Sequence, residues 1–183
     1  MGLFDFLKKK AEEPSYDITN LRVLDLDQGF ILDYNMKSWQ VKEVGEYDWG
    51  DNNFSREYKL DSGDDVLYLN VENDGELELS MSKNIKMHKL GENIIDETIK
   101  NEKPPSKIEY LDKMYYLDED CAGFYNDVTK GGDDWEELIN WEYYDDEEEN
   151  VISITQWGER EFDASVGKII KEYEISNIIP ASS

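Results

Sequence analysis

The chain has one thiol, Cys121, and one imidazole, His88, so nucleophilic catalysis by a Cys–His pair would need these two to meet. One Cys cannot close an internal disulfide, and one His cannot make a His-based metal site. Cys121 reads as a small half-buried side chain. His88 lies in the locally basic stretch Lys83–Lys89 and reads as a structural position. The residues 133–149 hold ten acidic groups and no basic one, together with Trp135, Trp141, Tyr143 and Tyr144. Calcium is the chemistry such a tract suggests, but residues 145–149 have neither the alternating ligands nor the interior glycine of an EF-hand loop. A solvated, self-repelling turn is expected there instead. Carboxylate pairs suited to glycoside hydrolysis carry no information in a chain with 44 acidic residues. The expectation is therefore a protein with no catalytic residue, no metal and no cofactor.

These groups sit on a chain of 183 residues with a formal net charge of −25, enough for one domain with a real core. Phosphate backbones repel such a charge, which excludes a nucleic-acid partner. With 5 Trp, 12 Tyr and 6 Phe the chain is expected to fold rather than remain disordered. Nothing in it approaches the run of about 18 apolar residues that spans a bilayer, so a cytoplasmic protein is expected. The amino-terminal residues Leu3, Phe4, Phe6, Leu7, Lys8, Lys9 and Lys10 suggest a short basic amphipathic helix able to touch anionic lipid at the inner membrane face. Residues 1–19 are read as this segment and its linker, residues 20–180 as the domain, and residues 181–183 as a tail.

From about residue 28 the apolar period is two. Leu77, Leu79 and Met81 alternate with Glu76, Glu78 and Ser80, the pattern of a half-buried strand. Similar runs cover residues 30–34, 39–47, 54–60, 66–72, 107–111, 114–117, 138–144, 151–157 and 168–175. Turn residues punctuate them, most clearly Asn73-Asp74-Gly75, whose members tolerate positive φ. Short connections imply antiparallel neighbours. The one internal helical pattern is residues 91–100, with Ile94, Ile95 and Ile99 ahead of Pro104 and Pro105.

Shifting the chain by 85 positions lays residues 57–94 on 142–179 with ten identities over 38 positions, Glu57/Glu142 and Tyr58/Tyr143 among them. At an offset of 76, Asp33-Tyr34 falls on Glu109-Tyr110 and Trp39 on Tyr115. The predicted fold is mainly β: antiparallel strands in two similar halves, about residues 25–100 and 105–180, packed as a sandwich or as small partly open barrels, with one or two short helices. The apolar sides of the halves are expected to meet, with the carboxylates facing water.

The segments Trp39–Val44, Arg56–Leu60, Val66–Glu72, Glu76–Leu79, Trp141–Tyr143 and Thr155–Glu159 resemble the bacterial family catalogued as domain of unknown function 4178, over roughly residues 25–180. The resemblance implies a small β-rich bacterial protein whose relatives are encoded beside membrane-stress and polyamine-related genes, and it transfers no active-site residue. The functional expectation is a non-enzymatic protein that acts through protein contacts, with Trp135, Trp141, Tyr143, Tyr144 and Trp157 as the partner surface. The alternative is a carrier or sensor of a small cation such as a polyamine, with carboxylates as counter-charges and aromatic walls.

Overall fold

The computed structural model describes Asp17 and residues 19–181. Eleven strands follow in chain order: β1 (Ile31–Tyr34), β2 (Lys37–Asp48), β3 (Phe54–Asp61), β4 (Val66–Asn73), β5 (Leu77–Ile85), β6 (Lys107–Tyr110), β7 (Lys113–Asp127), β8 (Glu136–Tyr144), β9 (Asn150–Gly158), β10 (Glu161–Ile170) and β11 (Ile175–Ile179). Helix α1 (Ile94–Asn101) separates β5 from β6 and stops three residues short of Pro104. The turn at Asn73-Asp74-Gly75 forms as its residue types require, with Gly75 at φ 126. The 168–175 run is not one strand. It is the end of β10, a 3-10 turn over Glu172–Glu174, and the start of β11. That turn is held by the Glu174 carboxylate accepting from the Lys171 backbone N–H at 2.7 Å, and the corner is tied down by the Arg22–Glu172 ion pair. The run at 114–117 is likewise only the first third of β7.

All strand pairings described are antiparallel and belong to a single sheet, ordered β11-β1-β2-β3-β4-β5-β10-β9-β8-β7-β6. The sandwich expectation required two facing sheets. A single sheet curls up instead, because β2 and β7 are long enough to serve two neighbours each along one edge. Residues 37–40 of β2 pair with β1, while Gly45–Asp48 pair with Asp127–Phe124 of β7. Residues 113–116 of β7 pair in turn with β6. The extra β2–β7 ladder closes eight strands, β2-β3-β4-β5-β10-β9-β8-β7, into a hydrogen-bonded ring. The hairpin arms β1–β2 and β6–β7 project from it. A register shift sits in each long strand, between Val41 and Glu43 and between Leu117 and Glu119, where the chain bends from arm into ring.

The apolar sides of the strands do not meet one another, and this overturns the expected packing. They face outward and form two separate cores, each roofed by other parts of the chain. One joins Trp39, Tyr58, Leu60 and Leu69 to Leu32 on the β1 arm and to Val23 and Leu26 ahead of it. The other joins Trp141, Tyr143, Ile152 and Ile154 to Ile108 and Tyr115 on the second arm and to Met87 and Ile94 at α1. Strand β10 contributes Ile170 to the first and Ala164 to the second. Period-two alternation then sends every intervening polar residue into the ring. The ring is drawn tight where β5 meets β10: Gly167 lies opposite Ser82, and a Cβ there would overlap the Met81 carbonyl oxygen.

Candidate functional site

The inward row of each ring strand is mostly hydroxyl, amide and carboxyl: Glu57 on β3, Asn70 on β4, Ser80 and Ser82 on β5, Asn140 and Glu142 on β8, Ser153 and Thr155 on β9, and Ser165 on β10. They line an inner chamber of about 110 Å³ together with Tyr47, Trp49 and Trp157. No Lys, Arg, His or Cys lines it. A wider cleft of about 600 Å³ adjoins the chamber and shares Asn70, Ser80, Glu142 and Val151 with it. Nine carboxylates line this cleft against one cation, Lys171. The lumen thus runs from a strongly acidic mouth to a narrower interior.

Aromatic rings wall one side of the interior. Tyr47 and Trp49 stack at 5.2 Å with planes 2° apart, Tyr125 leans on Tyr47 at 5.0 Å, and Trp157 meets Tyr125 edge-on at 5.5 Å. Two glycines make room for them. The Tyr125 ring occupies the space a Cβ would take on Gly45, and a Cβ on Gly123 would stand 2.7 Å from the Trp49 ring. The polar tips are satisfied within the wall: Trp49 Nε1 donates to Ser55 Oγ at 2.9 Å, and Trp157 Nε1 to Asp163 Oδ2 at 2.9 Å.

Three carboxyls line the interior: Glu57 from β3, Glu142 from β8, and Asp163 from β10, the last already accepting from Trp157. Glu57 accepts from the Tyr47 hydroxyl at 3.4 Å, and burial raises its carboxyl to about 7, against the lowering effect of that hydrogen bond. Glu142 accepts from the Tyr144 hydroxyl at 2.8 Å and from Asn140 Nδ2 at 3.4 Å. Burial pushes Glu142 up as well, and the nearby Glu119 and Glu72 add to the rise. Asn140 is itself fixed by Ser153 Oγ and Thr155 Oγ1, which donate to its Oδ1 at 2.7 and 3.0 Å. Neither Glu57 nor Glu142 has a cationic partner among the described residues, so each is a half-buried acid hydrogen-bonded only to neutral groups.

Residues 146–149 form the exposed turn expected of this tract, and only Asp145 departs from it. Asp145 is buried and accepts from the Glu149 and Asn150 backbone N–H groups and from Asn150 Nδ2 and Lys113 Nζ. Burial opposes its charge, but these hydrogen bonds win and hold it well below the usual carboxylate range. Cys121 stands opposite Asn140 on β7, and burial followed by the surrounding carboxylates pushes its thiol up, away from nucleophilic use.

The structure scatters the aromatics grouped as a partner surface. Trp141 and Tyr143 are 2% and 0% exposed within the second core, where no partner can reach them. They are outward residues of a covered strand, so their burial follows from the roof that β6 and α1 supply. Tyr144 lines the cleft, Trp157 lines the chamber, and Trp135 is half-buried beside Asp133. Leu3, Phe4, Phe6, Leu7 and Lys8–Lys10 lie outside the described residues. Among the described residues no helix is long and apolar enough to cross a membrane.

The family model described as Domain of unknown function (DUF4178) matches residues 27–172, which takes in the whole ring. The chain belongs to the DUF4178 family. A similar chain is an "Uncharacterized protein" of Aquifex aeolicus (strain VF5), 27% identical over 184 residues, covering 98% of this chain and 99% of that one. No solved structure matches this DUF4178 chain.

Proposed function

We propose that this protein is a non-enzymatic, cytoplasmic binding protein that holds a small organic cation in the lumen of its barrel. One observation carries the reading: the chamber offers carboxylates and aromatic faces and no basic side chain, so a cation gains Coulomb and cation–π attraction there and meets no repulsion. The acidic mouth concentrates cations at the entrance. Adding spermidine at constant ionic strength to about 100 times its Kd should stabilise the fold by about 2.7 kcal/mol. For a chain of this size that is a melting-temperature rise of about 5–10 °C. A rise no larger than NaCl gives would remove the reading.

The duplication read in the sequence belongs to this proposal. Strands β4 and β5 recur 85 positions later as β9 and β10, and the turn Met87–Lys89 recurs as Glu172–Glu174. Ser82 faces Gly167, its partner at that offset, in the middle of the β5–β10 ladder. At that offset each half supplies a matching lumen carboxyl, Glu57 and Glu142, and β10 adds Asp163.

Protein contact is the second reading, favoured by Phe54, Phe124 and Ile139. They remain 44%, 47% and 39% exposed on the outer seam that neither core covers. A photo-reactive residue at position 124 should give a discrete adduct in the source cell, and its absence would sink this reading. Peripheral membrane attachment rests on Leu3–Lys10 alone.

A further inference from the structure

We propose that the inner chamber seats one ammonium group of a linear diamine or polyamine against Glu57, with a second ammonium at Glu142, and that the Glu57 proton leaves to solvent as the first group enters. This rests on the lumen reading above and narrows it to a ligand shape and an exchange. The two carboxyls come from β3 and β8, which are not neighbours in the ring, and at the 85-residue offset they occupy the same place in each half. Asp163, the third acid of the lumen, is engaged by Trp157, and the two like acids left at separate points match a chain with a charge at each end. A compact divalent ion would need its ligands gathered, and no group of three or more His, Cys, Asp or Glu among the described residues could hold a metal ion. Shape agrees: the chamber is about 110 Å³ and continues past Asn70 and Ser80 into the cleft of about 600 Å³, so a narrow end enters while the remainder lies among the mouth carboxylates.

The proton follows from what surrounds Glu57. Tyr47 from β2, Tyr125 from β7, Tyr68 from β4 and Asp163 from β10 face it, all neutral or negative. Lys59, on the same row of β3, is tied to Glu43 at 2.7 Å. With no cation present the carboxyl is half protonated at about 7. An arriving ammonium supplies the missing charge, the carboxyl ionises, and its proton passes to buffer while the amine keeps its own.

Titration calorimetry of the full chain with 1,4-diaminobutane, in buffer pairs of unequal ionisation heat, reads this directly. Close to one proton should be released per amine at pH 6, about half at pH 7 and almost none at pH 8.5, with binding about tenfold tighter at pH 8.5 than at pH 6. Glu57→Gln should cut the release to what Glu142 alone contributes and make the pH profile shallower. Glu142→Gln should weaken binding yet still release the proton, and butylamine should bind at least tenfold more weakly than the diamine. Diamine binding without proton release, or a Glu57→Gln protein that releases as the wild type does, overturns the exchange and leaves the lumen reading standing. Equal affinity for butylamine overturns the second seat, and no binding by any amine overturns this proposal and the lumen reading together.

Discussion

A Glu57→Gln protein is expected to melt about 5–10 °C above the wild type at pH 8 and at the same temperature at pH 4.5. Burial holds the Glu57 carboxyl at about 7 in the folded chain, while the unfolded chain has the ordinary glutamate value of 4.5. Between those values the folded state binds the extra proton. Stability from this group is therefore complete below about 4.5 and lost as pH rises through about 7, at a cost of about 3 kcal/mol. Glutamine keeps an oxygen for the Tyr47 hydroxyl and carries no charge to desolvate, so the cost vanishes. Glu142 is raised for the same reason, so some downward slope with pH should survive in the variant. Thermal melts at half-unit pH steps check this, and a constant offset between the two proteins across the range would contradict it.

The second large effect separates the two cores. Leu69→Ala and Ile154→Ala should each cost about 2–5 kcal/mol, because both side chains are 0% exposed and each leaves a cavity in a packed cluster. The two residues belong to different clusters. The double variant should then lose the sum of the single costs to within about 0.5 kcal/mol. Denaturant unfolding at one pH gives all three numbers. A coupling above 1 kcal/mol would mean that the apolar faces communicate as one core, as they would if they lay inside the ring.

Much of the strand layout is legible in the residues, since alternation at Leu77, Leu79 and Met81 and the turn at Asn73–Gly75 state a local preference the fold obeys. Helix α1 is legible for the same reason. The second half of β7 is not. Residues 118–121, Asp-Glu-Asp-Cys, show no apolar alternation, because residues 118–120 are exposed and Asp118 and Glu119 line the acidic mouth. The site itself was hidden by an ambiguity of period two. An alternating strand states that one face is apolar and the other polar, but the polar face reads the same whether it meets bulk water or a lumen. Ring closure decides, and it hangs on four residue pairs between β2 and β7 that are remote in sequence. One signal was available. The dipeptide Glu-Tyr at 57–58 and at 142–143 places tyrosine in an outer core and, one residue earlier, an acid in the lumen. An acid beside a core tyrosine at matching points of two halves marks an inner wall.

Because the oily masses lie outside the ring, the load-carrying and the guest-holding parts of this molecule are different sets of atoms. In most small domains a residue facing the centre cannot change without loosening the whole. Here Asn70, Ser82, Ser153 and Ser165 could be exchanged for other short side chains while both outer masses kept their packing. The same frame could thereby be retailored for visitors of different size or charge, a freedom that centrally packed barrels lack.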